Sequence, residues 1–147
     1  MNELSGMPSL HEITTQARSI HERLLDSSLG HRQTQGSCLH ACILLSSMLE
    51  RFGNCKAVTI RGGDGQGDGG YVDAAGVWHG HYWIEADDGS GALVMDITAD
   101  QFGGPAVVVL RKDEARNYVP GSQVVVDEHV GEENMAFARE TVGVADT

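Results

Sequence analysis

At 147 residues the chain has the size of one ordinary domain, and 41% hydrophobic against 21% charged residues excludes a disordered polymer. A formal net charge of −11 excludes the basic surface that nucleic acid needs, and disfavours an anionic membrane. Its plain meaning is solubility, and a preference for basic substrates is the sharper reading. No apolar run nears the roughly 20 residues that span a bilayer. Met1 to Leu10 lacks the basic and apolar regions of a secretion signal. A cytoplasmic protein is expected, although an effector exported without a signal would look the same. Cys38, Cys42 and Cys55 make an odd number without disulfide spacing, which suits a reducing compartment and leaves a thiol for chemistry.

In chain order, Ser9-Leu-His-Glu12 reads as a capping box. Ile13, Ala17, Ile20 and Leu24 follow at helical spacing, so a first helix is predicted from Leu10 to Leu25. After the polar stretch His31 to Ser37, a second helix opens with Ser37 as N-cap and Cys38 in its first turn. Leu44, Leu45, Met48, Leu49 and Phe52 supply its apolar positions, and Gly53 stands where a left-handed C-cap belongs. A strand is expected from Cys55 to Arg61.

Gly62 to Gly70 (GGDGQGDGG) reads as a flexible, solvated hairpin loop or a flap. It lacks the Gly-Lys-Ser/Thr ending of a phosphate loop, and the length and terminal Glu of a calcium loop. An antiparallel meander should follow. Tyr71 to Ala74 and Val77 to Ala86 flank an Ala75-Gly76 turn, and Ala92 to Thr98 comes after the turn Asp88 to Gly91. Ala106 to Arg111 and Gln123 to Val126 are further candidate strands, and Glu132 to Glu140 a last short helix. Residues 1–8 and 141–147 are expected to be loosely ordered. Helices first and strands afterwards indicate a single α+β domain over residues 1–147.

Three residues carry chemistry. A thiol in the first turn of a helix, as at Cys38, meets unpaired N–H groups and the positive dipole end, which favour the nucleophilic thiolate. Cys42, among Ala41, Ile43 and Leu44, reads as core. His81 lies on a predicted strand whose alternation puts His79, His81, Trp83 and Glu85 on one face. Asp96 sits inside the apolar run Leu93 to Ile97, where an unpaired carboxylate is costly. Either His81 on the neighbouring strand satisfies it, or it caps the turn Thr98 to Gln101. A zinc site built from Cys38, Cys42, His79 and His81 is the competing chemistry. Neither Cys-x3-Cys nor His-x-His is diagnostic, and Asp96 would be left without a role.

The order and setting of these residues carry a resemblance. Gly36-Ser-Cys38 opens a helix ending at Phe52-Gly53, followed by His81-Tyr-Trp83-Ile-Glu85 and Val94-Met-Asp96-Ile-Thr98-Ala. This pattern resembles the transglutaminase-like branch of the papain-like cysteine enzyme superfamily, over about Gly36 to Phe102. The resemblance implies helices packed on an antiparallel sheet, with a catalytic triad of Cys38, His81 and Asp96. It also implies a thioester mechanism without cofactor or metal. Family members often place a tryptophan beside the cysteine, whereas this chain has Gly36-Ser37-Cys38-Leu39. Oxyanion stabilisation then falls to the Cys38 N–H and a side chain, with Gln35 favoured and Gln33 and Gln101 as alternatives; Trp83 joins the oxyanion and substrate-binding group.

The expected function is acyl transfer on an amide of a protein or peptide, with hydrolysis by a peptidase, amidase or protein-glutamine deamidase as the leading expectation. Transamidation, or a binding module that kept the fold without activity, are the alternatives. Oligomeric state, exact substrate and pathway are not encoded in these motifs.

Overall fold

The computed structural model describes residues 9–34 and 36–146, with side chains described to residue 136. The expectation for residues 1–8 lies outside this range.

Helix α1 spans Leu10–Leu29. Its capping box is complete: Ser9 Oγ accepts from the Glu12 N–H at 3.0 Å, and the Ser9 N–H donates to Glu12 Oε1 at 2.9 Å. The helix runs four residues past the predicted Leu25, to the left-handed Gly30. Helix α2 spans Cys38–Phe52, and two details of its caps depart from expectation. Ser37 holds the N-cap position, but its hydroxyl does not cap the helix: it donates to the Thr34 carbonyl at 2.7 Å instead. Gly53 is extended rather than left-handed. A side chain there would strike the Leu49 carbonyl, its Cβ lying 2.7 Å away, so the position requires a small residue for space.

Strands β1 (Lys56–Gly63), β4 (His81–Asp87), β5 (Ala92–Asp96) and β6 (Val108–Arg111) form an antiparallel sheet in the order β1-β4-β5-β6. Strands β2 (Gly70–Val72), β3 (Trp78–His79) and β7 (Tyr118–Val119) form a small second sheet, ordered β3-β2-β7. The α+β class expected from the sequence is what the chain adopts. Helices α1 and α2 bury Ile13, Ala17, Ala41, Cys42, Leu45 and Leu49 against Ile84, Ala86, Met95 and Ile97 of the larger sheet. The opposite face packs Trp83, Val94 and Val108 against Tyr71, Ala99, Ala115 and Tyr118. One sheet thus has two buried faces, and the site lies at the end of its central strands.

Two expectations are corrected. Gln123 to Val126 is not a strand. It begins helix α3, Gln123–Asp146, which also absorbs the predicted helix Glu132 to Glu140 and whose backbone continues through residues expected to be loose. The three valines favour extended structure locally. Ser122 overrides them: its N–H is held by both oxygens of Asp68 at 3.1 and 3.2 Å, and its hydroxyl accepts from the Val125 N–H at 3.4 Å. Only Val126 of the three is buried; Val124 and Val125 face outward.

The glycine loop is the second correction. It is a compact knot of backbone on backbone rather than a free flap. Asp64 Oδ1 accepts from the N–H groups of Gln66 and Asp68, and the Gly65 N–H donates to Gly69 O. A Cβ on Gly63 would lie 2.2 Å from Gly69 and Gly70 backbone atoms, and one on Gly121 would lie 2.1 Å from Asp68 O. The glycines are there because adjacent chains touch, so their abundance signals close packing more than flexibility.

Candidate active site

Strand alternation sets the site. His81 and Trp83 share one buried face of β4, while Tyr82, Ile84 and Ala86 face the other way. The β4–β5 register pairs Ile84 with Met95, which brings Trp83 beside Asp96 and leaves His81 its diagonal neighbour on the same face. The result is a buried ion-pairing geometry: His81 Nε2 lies 2.7 Å from Asp96 Oδ2, with the two side chains 0% and 1% exposed.

Both sequence readings of Asp96 hold at once. Oδ2 takes His81, while Oδ1 accepts from the Thr98 N–H at 2.9 Å and the Thr98 hydroxyl at 3.3 Å, capping the turn that follows. The Tyr118 hydroxyl donates to Oδ2 at 2.8 Å. Both oxygens of this buried carboxylate are thereby satisfied by donors.

Burial of the His81 ring opposes its protonation, but the charge and hydrogen bond of Asp96, together with Cys38, outweigh it and push the imidazole up to about 9. Cys38 is among the groups that raise it, which puts its thiol in the neighbourhood of the ring. Asp96 holds Nε2, which leaves Nδ1 for a second partner. Gln101 also reaches that nitrogen, its Nε2 at 3.5 Å, while its Oε1 accepts from the Gly36 N–H at 3.4 Å. Gln101 therefore touches both the imidazole and the backbone leading into Cys38.

All three cysteines are free. Cys42 is fully buried in the helical core, and burial, then Asp96 and Cys38, push its thiol well up. Burial and then Asp88 raise that of Cys55. Cys38 is partly exposed.

The loop before Cys38 is held from below. Arg18 of α1, nearly buried, donates to the Ile97 carbonyl at 2.9 Å, to Glu22 at 2.9 Å and to Asp100 at 2.8 Å. Asp100 in turn accepts from the Thr34 hydroxyl at 2.7 Å. Burial disfavours the charge of Asp100, yet Arg18 and Thr34 outweigh this and hold the carboxyl below its usual range. This chain of contacts ties the 3-10 turn Ala99–Phe102, which carries Gln101, to the loop that carries Gly36 and Ser37. His21 completes it. Burial, Arg18 and His40 lower its pKa, keeping the ring neutral near pH 7. Because the Ser37 proton is committed to Thr34 O, His21 Nε2–H donates to Ser37 Oγ, at 2.9 Å.

Other predicted residues fall elsewhere. Gln35 lies outside the described residues, and Gln33 makes no described side-chain contact with the site. Trp83 is 0% exposed behind the imidazole, 6.2 Å ring to ring, so it packs the site rather than meeting a substrate. Its indole Nε1 is buried without a partner among the described residues. Glu85 shares the strand face but sits at the far end of β4, paired with Arg61 at 3.1 Å and Lys112 at 3.4 Å. His79 turns to Asp73 at 2.8 Å and stacks on Phe102 at 4.2 Å, away from the two cysteines proposed as zinc partners. Among the described residues no group of three or more His, Cys, Asp or Glu side chains is arranged to hold a metal ion.

Tyr118, Arg18, His21 and Tyr82 were not marked by the sequence. Tyr82 faces α2 and α3: burial, then Cys38, Cys42 and Glu132, raise its phenol, and its hydroxyl meets His129. Glu133 of α3 meets His40, one turn edge from Cys38. Helix α3 thus packs against Tyr82 of β4 and reaches the start of α2. Among the described residues no helix is long and apolar enough to cross a membrane. Comparisons with protein families, with curated proteins and with solved structures found no match to this chain.

Proposed function

We propose that this protein is a thiol enzyme of transglutaminase-like type that transfers an acyl group from an amide to water through a thioester on Cys38. The observation that supports it most is the buried His81, hydrogen-bonded to Asp96 at Nε2 and interacting with Cys38. A structural histidine needs one partner; this one is fixed by Asp96 at Nε2 and keeps Nδ1 for a second, the role a general base beside a helix-terminal thiol requires.

In this reading Cys38 and His81 share one proton. The Cys38 sulfur attacks the carbonyl carbon, forming a C–S bond and a tetrahedral oxyanion. Helix α2 offers its first N–H groups to that charge, since the Ser37 hydroxyl is engaged with Thr34 and His21 instead of capping them. Among the described residues, Gln101, which reaches His81 and the Gly36 N–H, is the candidate side-chain donor. His81 gives its proton to the departing nitrogen as the C–N bond breaks. A water then loses a proton to His81 and attacks the thioester, the C–S bond breaks, and acid and thiolate are released. The substrate class is a peptide or protein amide, with peptidase, amidase and glutamine deamidase as fates of one intermediate. An amine in place of water gives transamidation.

Alkylation by iodoacetamide tests the reading. Cys38 should react faster than a model thiol near neutral pH, and Cys38→Ala should abolish the fast phase. Reaction no faster than the model thiol would exclude the enzyme and leave a binding module. On protein substrates, a gain of about 1 Da marks deamidation and a cut chain marks a peptidase.

A further inference from the structure

A carboxylate has about four acceptor positions, and Asp96 has four donors. Thr98 supplies two to Oδ1, and His81 and Tyr118 meet on Oδ2 at 2.7 and 2.8 Å. We propose that Tyr118 is a positioning residue that sets how strongly Asp96 draws on the His81 proton, by sharing the one oxygen that the imidazole uses. Its functional meaning rests on the thiol-enzyme reading above; its physical content does not.

A tyrosine that merely fills a core can satisfy its hydroxyl on any nearby carbonyl. Tyr118 ends instead on the oxygen that orients His81, 22 positions away in sequence from Asp96. Its ring cannot swing aside. Tyr71 meets it edge-on at 5.1 Å and Trp83 at 5.2 Å, and β7 is held against β2 by pairing of Tyr118 with Tyr71. The hydroxyl is buried and keeps its proton, because burial and then Asp96 raise the phenol far above its ordinary value. It is a fixed donor.

The groups facing His81 are Asp96 from β5, Cys38 from α2, Tyr71 from β2 and Tyr118 from β7, with Gln101 and Phe102 from the following turn. Asp96 is the one carboxylate among them. A donor removed from Asp96 therefore passes mainly to His81. Without Tyr118 the carboxylate is less stabilised as an anion and holds the imidazolium more tightly, so the His81 titration moves up. A stronger donor moves it down.

The experiment is an NMR titration of labelled histidines in the full chain, with His81 assigned by the resonance missing in His81→Gln. Tyr118→Phe should raise the His81 midpoint by about half to one unit, as expected when one of two donors leaves a shared oxygen. Site-specific 3-fluorotyrosine at position 118, a more acidic phenol of nearly the same shape, should lower it. A midpoint unmoved in both, or moved in one direction by both, overturns the proposal. Where Tyr118→Phe fails to fold, the fluorotyrosine protein decides alone: a lowered midpoint supports the coupling and an unmoved one refutes it. Opposite shifts alongside a Cys38 that alkylates no faster than a model thiol would keep the coupling and remove the enzyme reading. A fast-alkylating Cys38 with no shift would do the reverse.

Discussion

Two histidine–carboxylate pairs lie on one stretch of chain, His79 with Asp73 and His81 with Asp96, and their lengths are nearly equal at 2.8 and 2.7 Å. Their surroundings are not. The first pair sits at the rim, 29% and 19% exposed, where His79 and then the Val77 and Ala75 N–H groups hold Asp73 below its usual range. The second is sealed from water, its carboxylate filled by Thr98 and Tyr118 and its imidazole raised beside a thiol. Gly80 between the two strands lets the chain break, so neighbouring histidines enter different environments. Contact distance does not distinguish the two pairs; burial and a full set of donors on the carboxylate do.

Neutralising each carboxylate should separate the two pairs most. Asp96→Asn should lower acyl-transfer kcat/KM by roughly 10³- to 10⁴-fold, since the imidazole loses both its tautomer lock and its countercharge. Steady-state rates on an activated ester would measure this, and a loss under tenfold would contradict the role given to Asp96.

Stability against pH should separate the pairs next. The folded His81 pKa is raised from 6.5 to about 9, so its stabilisation is fully present below pH 6.5 and fades as pH climbs through 9. The fall is on the order of 3 kcal/mol, read from urea midpoints across that window. Asp96→Asn should flatten it, and Asp73→Asn should leave it in place.

The strands that bear the two histidines can also be forced apart. Gly65 is left-handed, and a Cβ there would lie 2.5 Å from Gly80 N and 2.6 Å from His79 C. Gly65→Ala should cost on the order of 2 kcal/mol or more by chemical denaturation. Gly67→Ala, with nothing within 4 Å, should cost less. The smallest effect belongs to Asp73→Asn, which should change activity less than about fivefold, since this half-buried pair at the rim does not touch Asp96 or the His81 ring nitrogens.

Much of this was legible in the chain. The capping box of α1, the helix that opens at Cys38 and the alternation that buries His81 with Trp83 are short-range patterns, and short-range physics decides them. Asp96 announced a partner because a carboxylate among Leu93, Val94, Met95 and Ile97 needs one. Tyr118 gave no such sign, since its hydroxyl finds Asp96 only after β7 pairs with β2. Arg18 on α1 gave no sign either, since its partners, the Ile97 carbonyl and Asp100, lie 79 and 82 positions away. The valines after Ser122 favoured a strand, yet they open a helix whose start is fixed by the Ser122 N–H donating to distant Asp68.

The glycine knot has a practical consequence for anyone who cuts or extends this protein. By composition, Gly62 to Gly70 looks like the natural place to splice in a tag, a fluorophore or new termini. Its backbone is wedged between the start of β4 and the entry to α3, so a graft there would pry at the scaffold beneath His81. The turn Asp88 to Gly91 is the better seam. It is solvent-facing, Gly89 has nothing within 4 Å, and it joins β4 to β5 at the end opposite His81 and Asp96.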